Sequence, residues 1–418
     1  MKKVYLLLLL PFIAYSQGWF VQQTFNPSQT IYAIKFYDGN TGYCVSALYN
    51  SSTYNIYKTT NGGGNWTAQN SGYTATRFMS IYILHPDTVY MSGNFGLIIK
   101  TVNGGQNWVT LPTGNSDQLW GIQFVNSFTG YVCGSAGRIM KTTNRGANWF
   151  NQTSGVQNAF SSIYFLNETT GYISGSAIVL RTTDGGTTWA NMNAPYISGF
   201  ENFREIKFTD AGTGYYVSDL GRILKTTNAG VNWTLLTTGT TEALFGINFT
   251  DPNTAYVCGN AGTIIKTTNA GVNWSPQTSG LNEILPDIWF TSALTGYICS
   301  WTGKILKTTN GGVTFINQIS SEVPEDFSLG QNYPNPFNPM SKIRFELPVG
   351  ATRRVALTVY DATGSEIETL VNEELKPGTY EVNWYASAYP SGVYYYQLII
   401  SSEQLIKFKE TKKMVLVK

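Results

Sequence analysis

The sequence predicts an all-β chain: a seven-bladed β-propeller with four-stranded blades, followed by a small C-terminal immunoglobulin-like β-sandwich. Three observations carry that prediction. A nine-residue phrase recurs seven times at intervals near 41 residues. Only 12% of residues are charged while 14% are aromatic, and 42 glycines supply material for tight turns. The last part of the chain abandons the phrase for a separate run of alternating strands.

The chain opens with MKKVYLLLLLPFIAYSQ: two lysines, an apolar run from Val4 to Ala14, and small residues Ala14 and Ser16 at −3 and −1 of a cut before Gln17. That pattern reads as a secretory signal peptide over 1–16. The run of about 11 residues is far short of the ~20 that span a bilayer as a helix, and no later stretch is long enough. The expectation is an exported chain without a transmembrane span. A net charge of +2 gives no electrostatic reason to expect a nucleic-acid partner.

The phrase reads KTTNGGGNW from Lys58, KTVNGGQNW from Lys100, KTTNRGANW from Lys141, RTTDGGTTW from Arg181, KTTNAGVNW from Lys225 and again from Lys266, and KTTNGGVTF from Lys307. Its aromatic anchors Trp66, Trp108, Trp149, Trp189, Trp233, Trp274 and Phe315 are 42, 41, 40, 44, 41 and 41 residues apart, the length of a four-stranded blade. Each unit holds four short β-rich runs, such as LWGIQF, GYVCG, RIMKTT and NWFNQT, bounded by turn residues. One such meander cannot bury both its faces. Seven arranged radially can, and the propeller is expected over 17–320.

Within the phrase, Asn61, Asn103, Asn144, Asp184, Asn228, Asn269 and Asn310 are expected to accept backbone N–H groups two or three residues on. A glycine beside them or at the third place after them tolerates positive φ. The Trp then opens the fourth strand and wedges against the next blade, burying roughly 150–250 Å². Lys58, Lys100, Lys141, Arg181, Lys225, Lys266 and Lys307 form a ring of cations whose stems are expected to lie over outer strands with their heads in water. Trp19 begins WFVQQT, an eighth copy of the fourth strand; it either completes the last blade or stands outside it.

Three of the four cysteines, Cys133, Cys258 and Cys299, share one slot of the second strand, which holds Ser92, Ser174 or Ser218 elsewhere. A slot that alternates Cys with Ser asks for a small buried side chain, so free packed thiols are expected. Cys44 sits one place off. The single histidine, His85, excludes a His-rich metal site and a local Ser-His-Asp arrangement, no cysteine pair has zinc spacing, and no glycine run opens a helix to cradle phosphate. No metal, cofactor or catalytic cluster is expected.

After the last copy, SLGQNYPNPFNP introduces prolines that no ladder strand accommodates, so 321–340 reads as a Pro/Asn-rich linker. KIRFELP, RRVALTVYD, EIETLVN, GTYEVNW, GVYYYQLII and KKMVLVK follow, about six or seven strands that make a small sandwich over 341–418.

These residues resemble known families. TTDGGTTW at 182–189 matches the Asp-box, or BNR, turn of sialidase-like propellers, and the other copies carry Asn for its Asp. The whole run over about 19–320, with its TGY strands and KTTNGG-type phrases, is similar to the seven-bladed propellers of the photosystem II stability and assembly factor family. The tail resembles the type A C-terminal sorting domain of the type IX secretion system in Asn332-Tyr333-Pro334-Asn335-Pro336-Phe337-Asn338-Pro339, VYDATG, LVNEEL, SGVYYYQL and Lys412-Lys413-Met414-Val415. That resemblance implies partnership with the type IX machinery, removal by a sortase-like protease, and release from the cell or attachment to its surface after a periplasmic stage.

A candidate ligand site comes from comparing the copies. The innermost strand keeps Ile at one place (Ile34, Ile81, Ile122, Ile163, Ile206, Ile247, Ile288) and an apolar residue three places earlier, and these read as core. The two places between vary freely. Tyr32, Trp120, Arg204, Glu205, Phe245 and Asp287 stand there, so the mouth of the central channel is the expected binding site, with aromatics and charges suited to a glycan or a protein. Two functions compete: a non-enzymatic binding, adhesion or scaffolding propeller, and a glycoside hydrolase of sialidase or xyloglucanase type with Glu205 and Asp287 as its acid and base. The missing sialidase arginine triad and the single propeller favour binding.

Overall fold

Gly18–Gly312 folds, in a computed structural model, into seven successive four-stranded antiparallel sheets among the described residues, which are 18–25, 29–48, 54–73, 77–195, 201–277, 279–312, 317–320, 322–350, 353–386, 389–402 and 405–418. The expected signal peptide and Phe315 lie outside them. The innermost strands are Gln29–Phe36, Phe78–His85, Leu119–Phe124, Phe160–Phe165, Phe203–Phe208, Leu244–Phe249 and Asp287–Phe290. Each lies beside the next, and the last lies beside the first, so the blades close a ring. The fixed Ile residues and the apolar residues three places before them are all buried.

Blade 7 draws only three strands from its own stretch of chain. Its fourth is Phe20–Thr24, paired antiparallel with Lys304–Thr308. Trp19 is 1% exposed and meets Tyr256 and Phe290 edge-on at 6.4 and 5.8 Å, packing in blade 7 as the Trp anchors do in the other blades. The eighth copy of the fourth strand therefore completes the last blade.

The repeated phrase is a clasp with a different bond pattern from the expected one. The Asn or Asp oxygen accepts the amide four residues on, as in Asn65 N–H to Asn61 Oδ1 (2.9 Å) and Thr188 N–H to Asp184 Oδ1 (2.9 Å). The threonine two places before it is buried, donates to that oxygen and accepts the amide four residues ahead, as Thr59 does from Gly63 (2.9 Å). This folds the first and second residues after Asn into the left-handed region, Gly62 and Gly63 at φ 63° and 81°, Ala270 and Gly271 at 56° and 84°. The third place needs no such conformation.

Aromatic packing joins the blades. In blade 4, Phe165 stacks at 3.8 Å on Tyr131 of blade 3 and meets Trp189 of its own blade edge-on at 6.0 Å. The anchors thus wedge against the preceding blade, not the following one, and most stay half-buried. The glycine of the TGY strand makes room for this Phe. A Cβ on Gly171 would stand 2.5 Å from the Phe165 ring. Where blade 6 has Ala255 instead, Phe249 sits farther from Tyr215, at 4.9 Å and 45°.

All four cysteines are buried free thiols. Burial pushes the thiols of Cys44, Cys258 and Cys299 well up, which keeps them protonated and inert. The register corrects one slot: Val217, opposite Glu205, is the equivalent of Cys133 opposite Gly121, and Ser218 is one place further on.

The second unit lies within Val313–Lys418. The propeller therefore ends at Gly312 and not at 320, because Asn317–Ser320 pairs with Gly378–Tyr385. Two sheets form it, one ordering Asn317–Ser320, Gly378–Tyr385, Met340–Leu347 and Ser328–Leu329, the other Glu366–Leu375, Arg353–Tyr360, Gly392–Ser402 and Leu405–Leu416. The expected linker is part of this body. Phe337 is buried against Trp384, and Asn332 is buried with its side chain donating to Pro334 O and Ser341 Oγ (3.1 and 2.8 Å).

Two outcomes are expected from this packing. Trp19→Ala should destabilise the propeller by about 3–5 kcal/mol in urea unfolding, since it empties a fully buried site and loosens the closing strand. Asp184 accepts the Thr188 amide and hydroxyl, which hold its carboxyl at about 2, below the ordinary 3.8. The stabilisation from a depressed carboxyl is complete above the ordinary value and lost as pH falls through about 2. Asp184→Asn should remove that component of the acid-unfolding curve and lower the unfolding midpoint near neutral pH, where the stabilisation is fully present, by a small amount because the group is exposed.

Candidate functional site: the central channel

The innermost strands line a central channel of about 310 Å³. Six of them carry a β-bulge at the same place, so that one residue is skipped in the pairing: Tyr32, Met79, Trp120, Ser161, Arg204 and Phe245. A bulge turns its extra residue out of the ladder, and here each extra residue lines the channel. In blade 7 that place is Pro286. All six candidate residues, Tyr32, Trp120, Arg204, Glu205, Phe245 and Asp287, line the same channel. The variation between copies pointed to the place, while the bulge that produces it left no local signature in the sequence.

The carboxylates are held in bonds within and between blades. Asp287 of blade 7 accepts the Ile34 amide of blade 1 (2.9 Å) and takes both contacts of Lys35 Nζ (2.7 and 2.8 Å). Glu205 of blade 5 accepts the Ile247 amide of blade 6 (2.7 Å) and pairs with Lys207 (3.0 Å). Burial lifts the Asp287 carboxyl above its ordinary value; Lys35 opposes this and Glu205 reinforces it. Burial draws Lys207 down, but Glu205 and Tyr164 more than offset it, so the ammonium stays charged. Other wall groups work in the same way: Gln123 bridges to both the amide and the carbonyl of Phe165 (2.7 and 3.1 Å), and Tyr164 donates to Phe208 O (3.0 Å).

At the mouth the balance is aromatic and apolar. Arg204 lies 5.4 Å over Phe245 and reaches Asp219 at 3.3 Å, and Arg77 lies 4.8 Å over Tyr32. His85 is exposed at a strand end away from these groups, accepting the Asp87 amide.

The ring of cations does not hold its heads in water. Lys141 lies over the Tyr131 ring and donates to Gly185 O of the next blade (2.7 Å), the carbonyl that also accepts Tyr131 Oη (3.0 Å). The same pair meets one carbonyl at Arg145, Ala270, Gly311 and, closing the ring, Gly62. Blade 1 divides the task between Tyr43 to Pro86 O and Lys58 to Gly104 O, and in blade 4 Arg181 stacks over Tyr172. The six lysines of the ring are inter-blade latches.

Breaking the channel pair tests its structural role. Asp287→Asn keeps an acceptor for the Ile34 amide but leaves Lys35 unpaired in a buried site, and should cost about 3 kcal/mol. Adding Lys35→Met should recover most of that loss in urea unfolding.

Residues 109–244 match the family Photosynthesis system II assembly factor YCF48, and residues 331–416 match the Secretion system C-terminal sorting domain. Among curated proteins none matches the chain. The fold is similar to that of YCF48 bound to a D1 peptide, 19% identical over 70% of this chain and 97% of that one with a TM-score of 0.59. It is similar also to PorZ, a surface component of the type IX secretion system of Porphyromonas gingivalis, 14% identical over 93% of this chain and 59% of that one, TM-score 0.56. The GH74 xyloglucanase of Xanthomonas campestris is 10% identical over 78% and 59%, TM-score 0.57. At such identities the likeness shows the fold alone. The chain joins a YCF48-like BNR propeller to a C-terminal sorting domain that directs export through type IX secretion to the cell surface or the extracellular space.

Proposed function

We propose that the exported propeller is a non-enzymatic binding module that takes a polypeptide segment of a partner at its channel mouth, anchored by an apolar side chain. One observation carries this reading: the charged and amide groups of the channel wall are already engaged within and between blades, and the residues at the bulge position are Tyr32, Met79, Trp120, Phe245 and Pro286, with Ser161 the one hydroxyl among them and Arg204 at the rim. A glycan brings many hydroxyls that need partners when desolvated, and few are on offer. An aliphatic or aromatic anchor needs only shape and contact area. The YCF48 propeller bound to a D1 peptide supports a peptide ligand for this scaffold.

Hydrolysis is disfavoured by the same bonds. An acid and base pair must exchange protons with substrate, whereas Glu205 and Asp287 each hold a lysine and a backbone amide. In this reading the signal peptide delivers the chain to the periplasm, and a sortase-like protease removes the sorting domain as the propeller is released or attached.

Panning a random-peptide display library against the mature chain tests the proposal. Selected peptides should share an apolar anchor, and Trp120→Ala or Phe245→Ala should weaken them by about tenfold or more. Retention of polysaccharide in place of peptides, or sugar release abolished by Glu205→Gln, would reject it.

A further inference from the structure

The second sheet of the sorting sandwich has two edges of opposite charge. One edge strand, Glu366–Leu375, reads EIETLVNEEL, with four glutamates and no basic residue. The other, Leu405–Leu416, reads LIKFKETKKMVL, with four lysines against one glutamate, and Lys407, Lys409 and Lys413 are exposed.

The basic edge is half covered by the sorting motif. Phe337 N–H donates to Val415 O and Val417 N–H to Phe337 O (both 3.0 Å), Asn335 Oδ1 accepts the Val415 amide (2.9 Å), and Gln331 donates to Lys413 O (2.8 Å). The carbonyl of 413, both groups of 415 and the amide of 417 are thereby paired. Backbone direction alternates along a strand, so Lys409 and Thr411 also point their amides and carbonyls outward, and no partner is found for these among the described residues. Leu405 and Ile406, 63% and 61% exposed, begin this open stretch.

We propose that the sorting sandwich pairs head to tail with a second copy of this chain, the open part of Leu405–Leu416 on one copy receiving the acidic edge Glu366–Leu375 of the next. Strand direction permits it. All neighbours in the sheet are antiparallel, so its two edge strands run in opposite senses, and a copy translated in the plane of the sheet sets its acidic strand antiparallel to the basic one. Charge selects it: lysine-lined edges repel one another, which is how edge strands avoid like pairing, but attract a glutamate-lined edge. The contact uses different patches on the two copies and extends into open arrays.

Sedimentation velocity of the full chain, with its sorting domain retained, over rising concentration tests this. Association should grow with concentration at low salt and weaken by about tenfold or more at high salt, because Glu366, Lys407 and Lys409 are exposed. The pair Lys407→Glu and Lys409→Glu should abolish it, as should the pair Glu366→Lys and Glu368→Lys. Mixing the two variant proteins should restore it, a result that misfolding cannot produce. Thr411→Pro, which removes an outward amide without changing charge, should also abolish it. A wild-type chain that stays monomeric at low salt, or association indifferent to the charge reversals, overturns the proposal.

Discussion

The propeller depends on carbonyls offered from one blade to the blade before it. At five of the seven junctions the clasp, turning left-handed after its Asn, directs one carbonyl at the preceding blade, where a buried phenol and an ammonium lying over the phenol ring both donate to it. Blade 1 splits the two bonds between Pro86 O and Gly104 O, and blade 4 sends Tyr172 alone to Ala229 O. Burial holds the phenols of Tyr131, Tyr215 and Tyr297 up at about 12, so each remains a donor across the whole physiological range. The first residue of the repeated phrase, its Asn-Gly core and the Tyr of the second strand are therefore parts of one device split between neighbours. A bond from Tyr297 to Gly62, 235 residues away, gives the closing junction the same device.

Much of the fold was legible because the phrase is written seven times and its spacing equals one blade. What stayed illegible is which neighbour each part faces. Identical copies carry no label distinguishing the blade before from the blade after, so the wedge of Trp189 was expected in the wrong direction and the reach of Lys141 was not expected at all. Contacts across long stretches of chain hid in the same way: Lys35 and Asp287 lie 252 residues apart. In the tail, the prolines read correctly as hostile to a ladder, but the burial of Phe337 comes from Trp384, a partner that local pattern does not reveal. The doubled tyrosine of GYYVS shifted one alignment by a residue and placed Ser218 where Val217 belongs.

The candidate site was located by variation and shaped by something else. Residues that differ between copies, such as Trp120 and Phe245, do meet around one channel. The charged members, Glu205 and Asp287, turn out to bind backbone of the next blade, so they hold the wall together as well as line it. The blades with Gly121, Gly246 or Ala33 at that position have no such side-chain bond there, which leaves the polar bridges unevenly distributed around the ring.

The strand that completes blade 7 has a consequence for the order in which the propeller can close. Phe20–Thr24 leaves the ribosome first among the blade strands, yet its ladder partner Lys304–Thr308 is synthesised last. Until that late segment arrives, the early one has no edge to join and the circle stays open. The ring therefore locks only once the whole stretch from Phe20 to Thr308 is available, which makes circular closure a property of the complete propeller and of no smaller part of it.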